Sequence, residues 1–214
     1  MKKNSAITDL LKVMARLRSP TGCPWDREQS HLTLRRHAIE EVYELIDAIE
    51  AEDDHEIAEE LGDLLLQVVF HCQLARERGA FDFDKVCRLI VEKLVRRHPH
   101  VFGETKVKGV DEVWANWEKI KHAEKKGTRH ERASAFDGIP KHLPALLRAE
   151  KLVKKARKVF NDEHGSKRQF SRTALARKLF ELAGRAQRQG WSAEELLSDE
   201  VKRRERAFRR LERG

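Results

Sequence analysis

AIEEVYELIDAIEAEDDHEIAEELGDLLLQVVF, residues 38–70, carries two pairs of acids at helical spacing, Glu41 with Glu44 and Glu60 with Asp63. Each pair is three residues apart, so on a helix both acids project from one face. The 15 residues between Glu44 and Glu60 are enough to finish one helix, turn and start another. The stretch therefore predicts an antiparallel helix pair across which four carboxylates meet. Such a concentration of negative charge repels itself unless a cation sits in it, and hard oxygen ligands of this kind suit Mg²⁺ or Mn²⁺.

An acidic pair at this spacing is more often a solvated face, and 37% of the chain is charged. Helical geometry discriminates. Turning about 100° per residue, Ala38, Ile39, Val42, Leu45, Ile46 and Ile49 share a face, with Glu41 at its edge, Glu44 one step further round, and Asp47 and Glu40 further still. In the next helix Leu61, Leu64, Leu65, Leu66, Val68, Val69 and Phe70 leave almost no polar side, which predicts a buried element. Glu60 and Asp63 open that helix, and a carboxylate held against an apolar core needs a partner or a metal. Gly62 lies between them at a cost of about 1 kcal/mol of helix propensity against alanine, which suggests close backbone approach by a neighbouring helix or a ligand.

The chain is long enough, at 214 residues and 40% hydrophobic, to bury a real core in one or two domains. No apolar run is long enough to cross a bilayer, and the segment Met1–Asp9 is short and polar, unlike a signal peptide. A cytoplasmic protein with no membrane partner is expected. Cys23, Cys72 and Cys87 are odd in number and carry no C-x-x-C spacing, which indicates neither a disulfide framework nor a thiolate zinc site.

The net charge of +8 is uneven. Residues 151–214 hold 19 Lys and Arg against 9 Asp and Glu, and residues 1–150 hold 25 against 27, so the basic excess is C-terminal. A rival reading follows, a basic helical module that binds nucleic acid or protein without catalysis. No zinc finger, glycine-rich phosphate loop or aromatic single-strand platform accompanies the charge, and nucleic acid is not the favoured partner.

Apolar periodicity predicts helices over about 5–18, 33–52, 55–78, 83–97, 111–125, 143–160, 171–188 and 192–212, with Cys23–Ser30 as a loop. Only short segments alternate with period two, so no sheet is expected. The fold class is all-α: a helical bundle whose antiparallel pair carries the acid quartet, plus a smaller C-terminal helical repeat. KKGTRHERAS, residues 125–134, is the linker candidate, dividing the chain into 1–127 and 128–214.

EEVYE at Glu40–Glu44 followed by ELGDLLLQVVF at Glu60–Phe70 resembles the E-E-x-x-E and E-x-x-D motif of the MazG nucleoside triphosphate pyrophosphohydrolases, in the all-α NTP pyrophosphatase superfamily. CPWDREQSH at Cys23–His31, KLVRRHPHVFG at Lys93–Gly103 and Trp117-x-x-Ile120-Lys121 resemble its flanking motifs, so the likeness covers residues 6 to about 160. The resemblance implies Mg²⁺-dependent cleavage of nucleoside triphosphates to monophosphate and pyrophosphate, a nucleotide-pool housekeeping role and a homodimer. It implies Glu41, Glu44, Glu60 and Asp63 as metal ligands, and Glu40 as an acid that acts behind them or orients the attacking water. Four carboxylates exceed what one ion needs, so one or two metals are expected.

A polyanionic substrate needs positive charge opposite the metal. Lys93 and Arg97 are four apart on one helical face, where the resemblance implies phosphate contacts; without it they read as a solvated basic face. Lys121 and Trp117 are further substrate-binding candidates. Trp25 can stack on a base with Asp26 accepting a hydrogen bond from sugar or base, or it can plug the bundle end. The C-terminal segment departs from the fuller family pattern. Residues 175–197 loosely echo residues 61–86 with Arg177 standing where Asp63 stands, which predicts a degenerate, non-catalytic repeat. Base and sugar preference stay open, as do the deoxyuridine and phosphoribosyl-ATP branches of the superfamily.

Overall fold

The computed structural model describes residues 5–125, 127, 128, 131, 133–161 and 170–213, and among them there is no strand. Ten helices follow in order: α1 Ala6–Leu17, α2 Pro24–Glu28, α3 Arg35–Glu50, α4 Asp54–Glu77, α5 Phe83–Arg97, α6 Pro99–Phe102, α7 Val110–Ala123, α8 Ala145–Phe160, α9 Arg172–Arg188 and α10 Ala193–Leu211. The all-α expectation holds. Contacts group the chain into two units, Met1–Trp117 and Glu118–Gly214. Of the expected linker, Lys126, Arg129, His130 and Arg132 lie outside the described residues.

In the first unit α3 and α4 pack along their length, joined by a turn in which Glu52 takes a left-handed φ of 56° and the Asp53 carboxylate accepts from the backbone N–H of His55 and Glu56. That cap satisfies two of the four orphan N–H groups that open a helix and fixes where α4 begins. α1 packs on the other side of α4, and Met14, Leu34, Val69, Phe70 and Leu74 form the core. Arg18, at the end of α1, donates to both Glu77 carboxylate oxygens at 2.7 Å and also to the Asp26 carbonyl, which ties α1, α2 and the end of α4 together. The hydrogen bonds from Arg18 hold the Glu77 carboxyl below its ordinary range.

Three expectations are corrected. The segment expected as a loop, Cys23–Ser30, contains α2, because Pro24 sits at its first turn, where its fixed φ suits a helix and its missing N–H costs nothing. The second correction concerns α4, which is not apolar-buried all round: Leu61, Leu65 and Val68 are exposed. In α3 the face turned to α4 is Ala38, Glu41, Leu45 and Ala48, one step round from the stripe Ile39, Val42, Ile46 and Ile49, which is exposed. Sequence periodicity marked a wide apolar face; the chain itself covers one edge of it. The third is Gly62, where a Cβ would meet nothing within 4 Å among the described residues, so no neighbouring helix makes the close approach.

In the second unit Phe136 is fully buried against Leu152, Ala156 and Val201, and its ring lies 6.1 Å from Phe160 and 5.6 Å from Phe208. α8 and α10 pack together around it. Ser171 and Ser192 cap α9 and α10 by accepting from the backbone N–H of Ala174 and Glu195.

Candidate metal centre

On α4, Glu60, Asp63, Gln67 and His71 fall on one polar stripe, which ends at the core residue Leu74. Carboxylate oxygens of Glu41, Glu60 and Asp63 lie within 4.8 Å of one another. Oε2 of Glu60 is buried with no hydrogen-bond partner. The charged form is penalised accordingly: the Glu60 carboxyl is raised above its ordinary value by desolvation and then by Glu44, Asp63 and Glu41. Glu41 is also raised, by desolvation first and then by Asp63, with a hydrogen bond from Gln67 acting the other way. Three acids crowded so that two resist ionisation, one with an orphaned oxygen, is the donor set a divalent cation satisfies. Glu44 is exposed and stands outside the trio, acting on Glu41 and Glu60 through its field. Glu40 is exposed and 3.2 Å from Nδ1 of His37.

The remaining candidates are placed as follows. Trp25 sits in α2, half-exposed, its ring edge-on to His37 at 5.8 Å. His37 in turn lies one helical turn before Glu41, so the indole is anchored next to the acid helix. Asp26 follows in the same turn of α2. Lys93 is exposed on α5, and the Arg97 guanidinium lies over the Trp117 ring at 5.1 Å, a cation–π contact that fixes its direction. Lys121 belongs to the second unit, where its ammonium is 3.4 Å from Glu118.

The family described as the MazG nucleotide pyrophosphohydrolase domain matches residues 29–102, which enclose both acid pairs. A nucleoside triphosphate pyrophosphohydrolase of Escherichia coli is 49% identical over 154 residues, 72% of this chain and 58% of that one. A Thermotoga maritima protein named nucleoside triphosphate pyrophosphohydrolase/pyrophosphatase MazG is 48% identical over 151 residues, 71% of this chain and 56% of its own length. One from Mycobacterium tuberculosis is 36% identical over 159 residues, 46% of its length. The chain belongs to the MazG family. It spans a little over half the length of the Escherichia coli and Thermotoga relatives.

Inside the MazG segment the structure adds residues that the acid spacing did not single out. Gln67, buried on the acid stripe, donates from Nε2 to Glu41 Oε1 at 3.2 Å, while its own Oε1 is buried without a partner. One turn further along α4, Nδ1 of His71 is 2.8 Å from Nδ1 of His31, with the two rings stacked 5.0 Å apart. One Nδ1 must donate and the other accept, and the contact clips the chain between α2 and α3 onto α4. The signal was present in LLLQVVFH, since Gln67 and His71 follow Asp63 by four and eight residues.

Burial and the neighbouring His31 hold His71 below its ordinary pKa of 6.5. The unfolded chain therefore takes up a proton first as pH falls through 6.5, and the pair's contribution to stability, complete above that value, declines toward the lowered folded one. Urea midpoints of the protein are expected to drop between about pH 7.5 and about pH 5.5, with a smaller drop in His71→Asn; equal drops in both proteins would contradict this.

Proposed function

We propose that the first unit hydrolyses nucleoside triphosphates, NTP or dNTP, to monophosphate and pyrophosphate with Mg²⁺, Mn²⁺ being a possible substitute. The observation that carries the reading is the trio Glu41, Glu60 and Asp63 with oxygens inside 4.8 Å and one of them orphaned, on the segment that matches MazG. Glu41, Glu60 and Asp63 hold the metal, with Glu44 joining them by a rotamer change or supporting a second ion. Bound there, a divalent ion neutralises charge that develops on the phosphates and lowers the pKa of water.

The chain's own residues do the rest. Gln67 keeps the Glu41 carboxylate aimed at the trio. Lys93 offers a point charge and Arg97 a fork to the phosphate chain, the latter braced on Trp117. Trp25, stacked edge-on against His37, presents a flat apolar surface for a base beside Asp26. Glu40, exposed beside His37, acts behind the ligands or orients the attacking water. Lys121 is a further residue for the phosphate chain, in its own subunit or across the dimer interface.

Exposed large apolar side chains, the α3 stripe with Leu61, Leu65 and Val68 of α4 and Leu89, Ile90 and Leu94 of α5, are what a homodimer interface would cover. A monomeric mass in sedimentation equilibrium at assay concentration would count against it. The second unit is read as a degenerate MazG-like repeat without catalysis, with Arg177 where an acid stands in the first, and the protein as cytoplasmic.

A panel of NTPs and dNTPs with Mg²⁺ should yield monophosphate and pyrophosphate in equal amounts from the intact protein and none from Asp63→Ala. Release of orthophosphate, or equal yields from both proteins, would refute the assignment.

A further inference from the structure

The positive charge of this protein is gathered in the second unit. Residues 118–214 hold 27 Lys and Arg against 14 Asp and Glu, a balance of +13, while residues 1–117 hold 17 against 22, a balance of −5. On α10 and the turn that ends it, Arg203, Arg206, Arg209, Arg210 and Arg213 line an open groove of about 510 Å³. At about 100° per residue the four on the helix fall within an arc of roughly 120°. Leu197, Val201 and Phe208 lie on a different flank and belong to the Phe136 core.

Two of the five are committed within the fold. Arg203 holds Glu200 through two hydrogen bonds at 2.7 Å, and Arg209 bridges Asp137 at 2.6 Å and Glu205 at 2.7 Å. Arg206, Arg210 and Arg213 are exposed and form no ion pair among the described residues. A helix C-terminus accommodates a cation or two through its dipole. Five on one flank, three of them in no close ion pair among the described residues and only Arg206 within the field of an acid, Asp199, exceed that need.

The shape of the cluster selects its ligand. A small anion needs donors that converge, whereas these guanidiniums are strung along one helix, Arg203 and Arg213 standing about 15 Å apart at 1.5 Å per residue. An extended polyanion fits such a row. The guanidinium fork grips phosphate oxygens in pairs, so phosphodiester suits it better than scattered carboxylates. None of the five lining residues is aromatic, which removes the stacking platform that single strands use. B-form DNA carries a charge every ~1.7 Å and has a groove about 12 Å wide that admits a helix, whereas the A-form major groove is too narrow.

We propose that the arginine flank of α10 is a docking surface for the phosphate backbone of duplex DNA, read without sequence preference and separate from the acid trio. The test is fluorescence anisotropy of the full-length protein with a labelled random-sequence DNA duplex, from about 50 to about 200 mM salt. Neutralising three phosphates gives a slope of log Kobs on log salt near −3, at about −0.9 per phosphate. The triple variant Arg206→Gln, Arg210→Gln, Arg213→Gln leaves the Glu205 and Asp137 pairs intact. It is expected to bind at least 10-fold more weakly with a slope approaching zero, while its urea midpoint and pyrophosphate release match the parent. No binding at the lowest salt, an unchanged slope in the variant, or tighter binding to duplex RNA or to an acidic peptide of equal charge would overturn the proposal.

Discussion

Glu60→Gln is expected to lower pyrophosphate release by more than about 100-fold, the loss usual for a residue that only supports a metal ligand, while making the metal-free protein more stable. The two effects have one cause. In the metal-free protein the Glu60 carboxylate has a buried oxygen without a partner and two acidic neighbours within 4.8 Å, and its ionised form is disfavoured by desolvation and by Glu44, Asp63 and Glu41. Glutamine keeps the shape and removes the charge, so the repulsion within the trio falls and so does the attraction for a cation. Measured without metal, the variant's melting temperature should exceed the parent's; with Mg²⁺ added, the parent should gain stability and the variant should not. Glu59→Gln is the comparison for activity alone, because Glu59 is exposed one position away and belongs with His55 and Glu56 to a separate exposed group that could itself take a cation. A Glu60→Gln protein that keeps its activity within a few-fold at saturating Mg²⁺ would remove Glu60 from the ligand set.

That contrast between Glu59 and Glu60 could be read from the sequence only in part. Spacing placed Glu60 and Asp63 together and set them against Glu41 across a turn, because helical periodicity converts directly into direction. Apolar periodicity also placed most helix ends within a few residues, and at four of the starts Asp53, Asp82, Ser171 and Ser192 prove to be the caps. It did not show that Glu44 stands outside the trio, which depends on how far α3 is rotated against α4. Apolar pattern alone cannot fix that rotation when the stripe is wide: Ala38, Leu45 and Ala48 meet α4 while Ile39, Val42, Ile46 and Ile49 stay exposed. A hydrophobic face states that something covers it, not whether the cover is the same chain. The short helices α2 and α6 escaped because one turn has no period to detect, and each is started by a proline that reads as a breaker. Gln67 and the His31–His71 contact escaped because one polar residue in an apolar run becomes informative only when its partner, 26 or 40 residues away, is known.

The second unit offers the other large effect. Glu205→Ala is expected to destabilise it by about 3–5 kcal/mol, the range for removing one partner of a buried ion pair. Glu205 accepts from Arg148 at 2.8 Å through one oxygen and from Arg209 at 2.7 Å through the other, so it neutralises two cations at once. Arg148 is 6% exposed and, among the described residues, its Nε already lacks a hydrogen-bond partner and Glu205 is the one acid it pairs with. Arg209 would retain Asp137 at 2.6 Å, which places the loss on Arg148. The double variant Arg148→Met, Glu205→Leu removes both charges while keeping apolar volume, and most of the stability should return, because the cost of the single change is an unpaired buried charge rather than a lost attraction. Urea unfolding followed by circular dichroism compares the parent, Glu205→Ala and the double variant. If the double variant is as unstable as Glu205→Ala, the pair is held by packing around Glu205 itself, and the electrostatic account of this helix contact is wrong.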